Sequence, residues 1–431
     1  DLTSKLKLIV NTSFVNLKSQ GVQENSFNSI IGSALNFDPT VSLYNTEPDV
    51  IGKYGYSNLL LSEIFNPLTK LDNTYNQSNG NKLYGKVELQ YSVLKNLTLT
   101  SRLGYTNWDQ TGKSFTPFVF YGPLNVENTK NVDGTTVAGK HNSVSENKGT
   151  DAAFTSETFA NYNFKINSDH NFETVAGISF SKSRGDGINA SRQDVPFDSW
   201  TFADLTSATG TNTAANPTAY TAGNYQYFRK NASYFGRVNY DYLGRYLASV
   251  TARRDGSYAF GPANKFADFY SGSLGWVASN ENFFKSTFVN YLKVRGSYGT
   301  VGNENVSPQY VSIATGGPSY GGTANSNGYT FGNTFVNGST VGSYKNDALS
   351  WEKQKQFNIG FDVTFFKNKF SLTADYFDKR VDGLLFTPSV SLYLGTGTIP
   401  TANIGSSKST GVDMTFRYND KVSKDIRINT S

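Results

Sequence analysis

Few residues in this chain could do covalent or metal chemistry, and they are scattered. There is no cysteine, and the two histidines are His141 and His170. Without cysteine there is no disulfide, no thiolate metal site and no thiol nucleophile. His170 sits at a tight turn with Glu173 nearby, and His141 lies in a stretch rich in Gly, Ser and Asn. A metal centre or a general base needs more convergent groups than either neighbourhood supplies. Thr111-Gly112-Lys113-Ser114 reads like the end of a phosphate-binding loop. The position of its leading glycine is Asn107, however, and no helical pattern follows, so that reading fails. Gly395-Thr396-Gly397 is a lone turn signal, and Asn-x-Ser/Thr triplets are expected in so Asn- and Thr-rich a chain. The residues predict no catalysis, no metal and no cofactor.

Non-covalent recognition is the better prospect. Aromatic residues make up 15% of the chain, with 27 Tyr and 32 Phe, while charged residues are only 17%. Tyr320, Tyr329, Phe331 and Tyr344 fall in one long loop-like stretch, where their rings could stack on sugars or contact a lid. The ordinary alternative for them is loop packing. The net charge of +5 is small for 431 residues, and the basic side chains form no stripe. Nucleic acid is therefore not an expected partner.

The elements that would position such groups are strands. Phe357, Ile359, Phe361 and Val363 alternate with Gln356, Asn358, Gly360 and Asp362. After the turn Lys367-Asn368-Lys369, Phe370, Leu372, Ala374 and Tyr376 alternate with Ser371, Thr373 and Asp375. This is a hairpin with one apolar and one polar face. The period recurs at Val87–Tyr91, Leu97–Tyr105, Phe172–Phe180, Tyr234–Tyr240, Leu292–Tyr298 and Val412–Tyr418. The faces of 152–165 do not resolve. About a dozen strands are expected, with short turns near 94–96, 167–169, 243–245, 367–369 and 419–424. Long polar loops are expected near 17–80, 109–150, 184–229, 301–349 and 383–406. Short helical pieces are expected at Phe27–Leu35 and Asn282–Lys285.

No apolar window is long enough for a membrane helix, and mean hydropathy is −0.43. That does not argue against a membrane, because a transmembrane barrel averages its two faces. Strands of about ten residues, short turns at one end and long loops at the other predict an all-β, transmembrane antiparallel β-barrel. Phe357, Ile359, Phe361 and Val363 should then face lipid. Tyr105, Trp108, Tyr246, Tyr270, Trp276 and Tyr376 are candidates for interfacial aromatic girdles.

Several stretches resemble the SusC/RagA family of TonB-linked outer-membrane proteins. They include Ser233–Tyr240, Arg254-Asp255-Gly256, Phe260-Gly261-Pro262, Gly275-Trp276, Leu292–Gly299, Gly302-Asn303, Trp351-Glu352-Lys353, Asn358–Asp362, Asn403-Ile404-Gly405 and Gly411-Val412-Asp413. Their order and spacing hold along nearly the whole chain. Residue by residue, Arg254, Asp255 and Gly256 read as a strand end and turn. Gly302 and Asn303 close a strand, and Trp351 and Glu352 open the next one.

The resemblance implies a roughly 22-stranded barrel in the outer membrane of a Gram-negative bacterium. It implies energy-coupled import of an oligosaccharide or peptide, with TonB and a SusD-like surface lipoprotein as partners. Residues 1–431 are then expected to be a β-barrel fragment. The plug, an N-terminal accessory domain, and the first and last strands would lie outside this chain. A SusC-like barrel serving as a docking component of a larger envelope or secretion assembly is the competing function. A soluble β-sandwich adhesin or lectin is a third reading.

Overall fold

The structure is a computed structural model describing residues 1–22, 29–46, 52–56, 63–308, 313–316, 328–332, 334–337, 339–389, 399–421, 423 and 427–430. Its elements run β1 (Leu6–Ser19), α1 (Ile30–Asn36), α2 (Pro67–Asp72), β2 (Tyr75–Leu94), β3 (Leu97–Thr116), β4 (Ser143–Ile166) and β5 (His170–Gln193). Then come β6 (Tyr220–Tyr242), β7 (Tyr246–Ser257), β8 (Phe266–Val277) and β9 (Val289–Asn303). Four short strands follow: β10 (Ile313–Gly316), β11 (Gly328–Phe331), β12 (Thr334–Asn337) and β13 (Ser339–Ser343). The chain continues through β14 (Glu352–Phe365), β15 (Phe370–Asp382), β16 (Leu385–Phe386), β17 (Ala402–Asn403), β18 (Ser406–Lys421) and β19 (Arg427–Thr430).

Thirteen strands form one antiparallel meander, in the order β1-β2-β3-β4-β5-β6-β7-β8-β9-β14-β15-β18-β19. The remaining strands make three small two-stranded pairs. Tight turns close one end of the meander, apart from the β8–β9 connection over 278–288, and the longest connections lie at the other. At Leu243-Gly244 both residues have positive φ, 53° and 65°. Positive φ at both positions is that of a primed turn, closed by the Arg245 N–H on the Tyr242 carbonyl inside the three-residue connection from Tyr242 to Tyr246.

The strands run further than expected. β4 and β5 have 24 residues each and β6 has 23, so 109–116, 143–150, 184–193 and 220–229 are ladder and not loop. These stretches are polar and glycine-bearing, yet pairing continues unbroken from Arg192↔Tyr220 to His170↔Tyr242. Gly185 and Gly187 show why. A Cβ on either would sit 2.3 or 2.4 Å from the ring of Tyr227 or Tyr225 on the facing strand. Glycine here makes room for a cross-strand tyrosine and does not break the strand. Helix α1 confirms the expected first helical piece, opened by Ser29, whose side chain accepts from the Gly32 N–H. The second is a turn at Glu281–Phe284, just after a 3-10 turn at Ala278–Asn280.

Register assigns every face. The apolar set runs Val10↔Val87↔Leu103, and Tyr298↔Phe357 and Ile359↔Tyr376 continue it across later strands. Phe357, Ile359 and Phe361 on this face are exposed, and Val363 is half-buried. The faces of β4 now resolve as well, because Tyr105↔Phe154 and Leu97↔Tyr162 put its even-numbered residues with the apolar set.

Near the short-turn ends that face carries a run of rings. Phe164 stacks on Phe172 at 4.8 Å, and Phe172 meets Tyr240 at 4.9 Å. Phe365, Phe370 and Phe416 continue the run on later strands. His170 belongs to it, stacked on Tyr240, with Nδ1 2.8 Å from the tyrosine hydroxyl. Trp108 does not join the apolar face. It lies on the polar one over Gly80, and its indole N–H donates to Gln110.

Candidate functional site

The polar face of the meander forms one recess. Asn163, Glu173, Asn239, Ser249, Lys293, Arg295 and Asn358, from six different strands, line a cavity of about 1190 Å³. The cavity runs from β4 to β14 along the polar face. The charges of that face are organised in small clusters. Glu88 is nearly buried and lies 3.1 Å from Lys86 and 3.0 Å from Arg102, which reaches on to Glu157 at 3.2 Å. Arg295 bridges Asp362 at 3.0 Å and Asp375 at 2.6 Å, and Thr373 donates its hydroxyl to Asp362. Gln356 donates to Asn358, and Asn358 to Ser297. These groups offer hydrogen bonds and charges of both signs. Among the described residues no three His, Asp or Glu converge as a metal site would require.

Among the described residues, two separate hydrophobic clusters stand out at the loop end. In the first, Phe115 and Val144 at strand ends bury against Val195, Ala203 and Ala208 from the β5–β6 connection, with Tyr75, Trp200 and Leu205 around them. Asn142 ties this cluster to the backbone. Its amide donates to the Val195 carbonyl and accepts from the Val195 N–H, at 3.0 and 2.8 Å. His141 caps the same turn through Asp194 at 2.7 Å, which is a structural task.

The second cluster holds Ala259, Phe260, Phe269, Leu349 and Trp351. Residues singled out by the family resemblance converge here. Trp351 packs on Phe260 and Phe269 at ring distances of 5.2 and 5.6 Å, and its indole N–H donates to the Lys265 carbonyl. A Cβ on Gly302 would stand 2.2 Å from the Phe269 ring and 2.8 Å from Trp351. The Asn303 amide donates to Glu352, whose other oxygen accepts from the Leu385 N–H. Asn403 brackets Ser350 on both its N–H and its carbonyl. The motif thus fastens three loops together. Arg254 and Asp255 stand apart from this core: Arg254 pairs with Asp268 at 3.5 Å and Asp255 with Arg253 at 2.9 Å. Gly256 is buried beside Phe266.

Of the loop aromatics, Phe331 and Tyr344 are exposed, at 64% and 43%. The backbone of Tyr329 lies in β11, and Tyr320 falls outside the described residues, as does Gly395-Thr396-Gly397. Sequence reasoning passed over another pair, Phe197 and Phe202. Their rings are 5.0 Å apart and 80% and 51% exposed, and Phe197 has a φ of 64°. Pro196 immediately before was the available signal of a turn that could project them.

The connections carry local electrostatic devices. Asp38, Asp133 and Asp204 are held below the usual carboxylate range by hydrogen bonds from the threonine two residues on. The Tyr54 hydroxyl and then Lys53 do the same for Asp72. Burial, reinforced by Glu127, pushes the Tyr121 phenol up to about 12.

The family described as TonB dependent receptor-like, beta-barrel matches residues 36–430. TonB-dependent receptor P3 of Formosa agariphila is 28% identical over 403 residues, 93% of this chain and 36% of the relative. TonB-dependent receptor SusC of Bacteroides thetaiotaomicron is 32% identical over 194 residues, 45% of this chain and 19% of the relative. The chain therefore spans about a third or less of the length of these curated relatives. Among solved structures, the RagAB peptide transporter superposes with a TM-score of 0.73 at 21% identity, over 100% of this chain and 44% of that one. Family, sheet and loop layout together place the chain in the outer membrane of a Gram-negative bacterium, as a member of the TonB-dependent receptor-like β-barrel family.

Proposed function

We propose that this chain is barrel wall in an outer-membrane importer that takes up an oligosaccharide or peptide and depends on TonB. A single observation carries the reading. One face is polar, carries charges of both signs and lines a cavity shared by six strands, while the opposite face presents exposed apolar side chains such as Ile359 and Phe361. That is the distribution of a wall between a watery lumen and lipid. Phe357, Ile359, Phe361 and Val363 are then lipid contacts. The SusC and RagAB relatives support a receptor that moves solutes, RagAB being a peptide transporter.

A SusD-like surface lipoprotein is the expected partner at the loop end. The exposed rings of Phe331 and Tyr344, with Tyr320 and Tyr329 beside them in sequence, are candidates to touch that lid or the substrate.

The test is uptake of labelled oligosaccharide and peptide libraries by cells carrying the intact protein, with TonB present or deleted. Accumulation of one class that vanishes without TonB is expected. Uptake indifferent to TonB would remove energy coupling. Absence of uptake, together with capture of secretion or assembly proteins in mild detergent, would favour a docking component instead.

A further inference from the structure

Among the described residues, the apolar face bears a set of cations that no ion pair accounts for. Lys182 and Lys230 are directly opposed across β5 and β6, both exposed. Like charges so placed repel. Both ammonium groups lie over the one Phe228 ring, at 5.3 and 4.8 Å from its centroid, hence no more than about 10 Å apart. Lys265, from the β7–β8 connection, lines the same groove. Among the described residues none of the three lysines has a carboxylate within ion-pair distance. Arg184 adds a further exposed cation in β5. Two carboxylates stand nearby on this face: Asp186, two residues beyond Arg184, and Asp268, already engaged by Arg254. Elsewhere at this end of the face, cations are interleaved with acids, as Lys148 is with Glu146 on β4.

Beside and below the lysines the groove is largely apolar. It encloses about 470 Å³ and is walled by Phe154, Phe180, Ala232, Tyr258 and Phe266. Its height on the barrel follows from strand geometry. Phe172, in the row of rings near the short turns, and Lys182 are ten residues apart in β5. Ten residues rise about 33 Å along a strand, and about 25 Å along the membrane normal at a tilt of roughly 40°. That equals the height of an apolar barrel band. With the rings at one interface, the lysines stand at the other, on the long-loop side, where the outer leaflet carries its headgroups.

We propose that Lys182, Lys230 and Lys265 bind the phosphate of a phosphorylated lipid of the outer leaflet, with an acyl chain lying in the groove over Phe154 and Phe180. An anion between the opposed lysines relieves their repulsion. The phosphate supplies several acceptors for three ammonium groups, two of which otherwise have only the Phe228 π-face. The apolar floor supplies a place for a chain that a free anion would leave empty. The inference rests on the barrel's orientation in the membrane and not on what the barrel transports.

The experiment uses the intact protein purified in mild detergent and relipidated with lipid A, with the same lipid A after phosphatase treatment, or with inorganic phosphate alone. The readouts are bound lipid by native mass spectrometry and the midpoint of thermal unfolding. Phosphorylated lipid A should be retained and should raise the midpoint, with at least tenfold weaker retention after dephosphorylation and no effect of inorganic phosphate. K182A/K230A/K265A should lose retention, whereas K182R/K230R/K265R should keep it. Heat-modifiable gel mobility reports that each variant is a folded barrel, and if the alanine variant misfolds, the single change K230A carries the comparison. Equal retention by folded alanine variants, or of dephosphorylated lipid, would overturn the proposal. So would stabilisation by inorganic phosphate equal to that by the lipid.

Discussion

At the scale of single residues, the loop core around Trp351 makes the sharpest demand. Gly302 faces Phe269 and Trp351 at distances no side chain tolerates, and both rings are held by their own neighbours. Gly302→Val should therefore cost about 1–3 kcal/mol through overpacking, confined to the loop cluster. Limited proteolysis should cut 304–351 roughly tenfold faster, with heat-modifiable mobility of the barrel unchanged; cleavage at the wild-type rate would contradict the packing. Tyr121 offers a pH readout outside the strands. Its folded pKa, about 12, lies above the ordinary tyrosine value. Burial therefore stabilises the neutral phenol, and the benefit is complete below about pH 10 and lost as pH rises towards 12. The ultraviolet difference between wild type and Tyr121→Phe isolates that one phenolate, and a midpoint near 10 would show the ring is not buried. Neither position was legible as an isolated residue. Gly302-Asn303 and Trp351-Glu352 could be recognised as a pattern, but their partners Phe260 and Phe269 lie over 80 residues from Trp351, and no local period links them.

At the scale of the strand, the alternation in β14 was readable because every outward residue from Phe357 to Val363 is large and apolar. β4 was unreadable for the opposite reason. Its outward row passes through Ser156, Thr158 and Ala160, while Phe159 points inward, where Arg102 lies over its ring. Trp108 misled in the same way, since a large ring over Gly80 on the polar face looks from sequence like an interface anchor. The face assignment is tested by arginine. Ile359→Arg places a charge on the apolar face and should cost roughly 2–4 kcal/mol if mid-membrane, falling to about 0–1 near an interface. Phe357→Arg and Phe361→Arg bracket that depth. Asn358→Arg points into the recess beside Ser297 and should assemble nearly normally. The folded fraction on heat-modifiable gels decides it. An Asn358 variant as damaged as all three others would reverse the faces.

At the scale of the whole molecule, the meander ends in two edges, β1 and β19. Unpaired backbone cannot face hydrocarbon, so we propose that both edges pair with further strands of the barrel. The amide protons of Leu6–Ser19 should then exchange as slowly in the intact protein as those of β5, and fast exchange along β1 would refute the pairing. The loop end has its own consequence. Its two packed clusters share no residue, the first drawing on the ends of β3 and β4 and the β5–β6 connection and the second on β7–β8, β9–β14 and β15–β18. Recombination between related genes would therefore have natural joints here. A crossover exchanging the second group as a set carries Phe260, Leu349, Trp351 and Asn403 together and keeps their contacts. A crossover inside the set strands Trp351 without its partners. New recognition surfaces would thus be inherited as cassettes of three loops together with the strands between them.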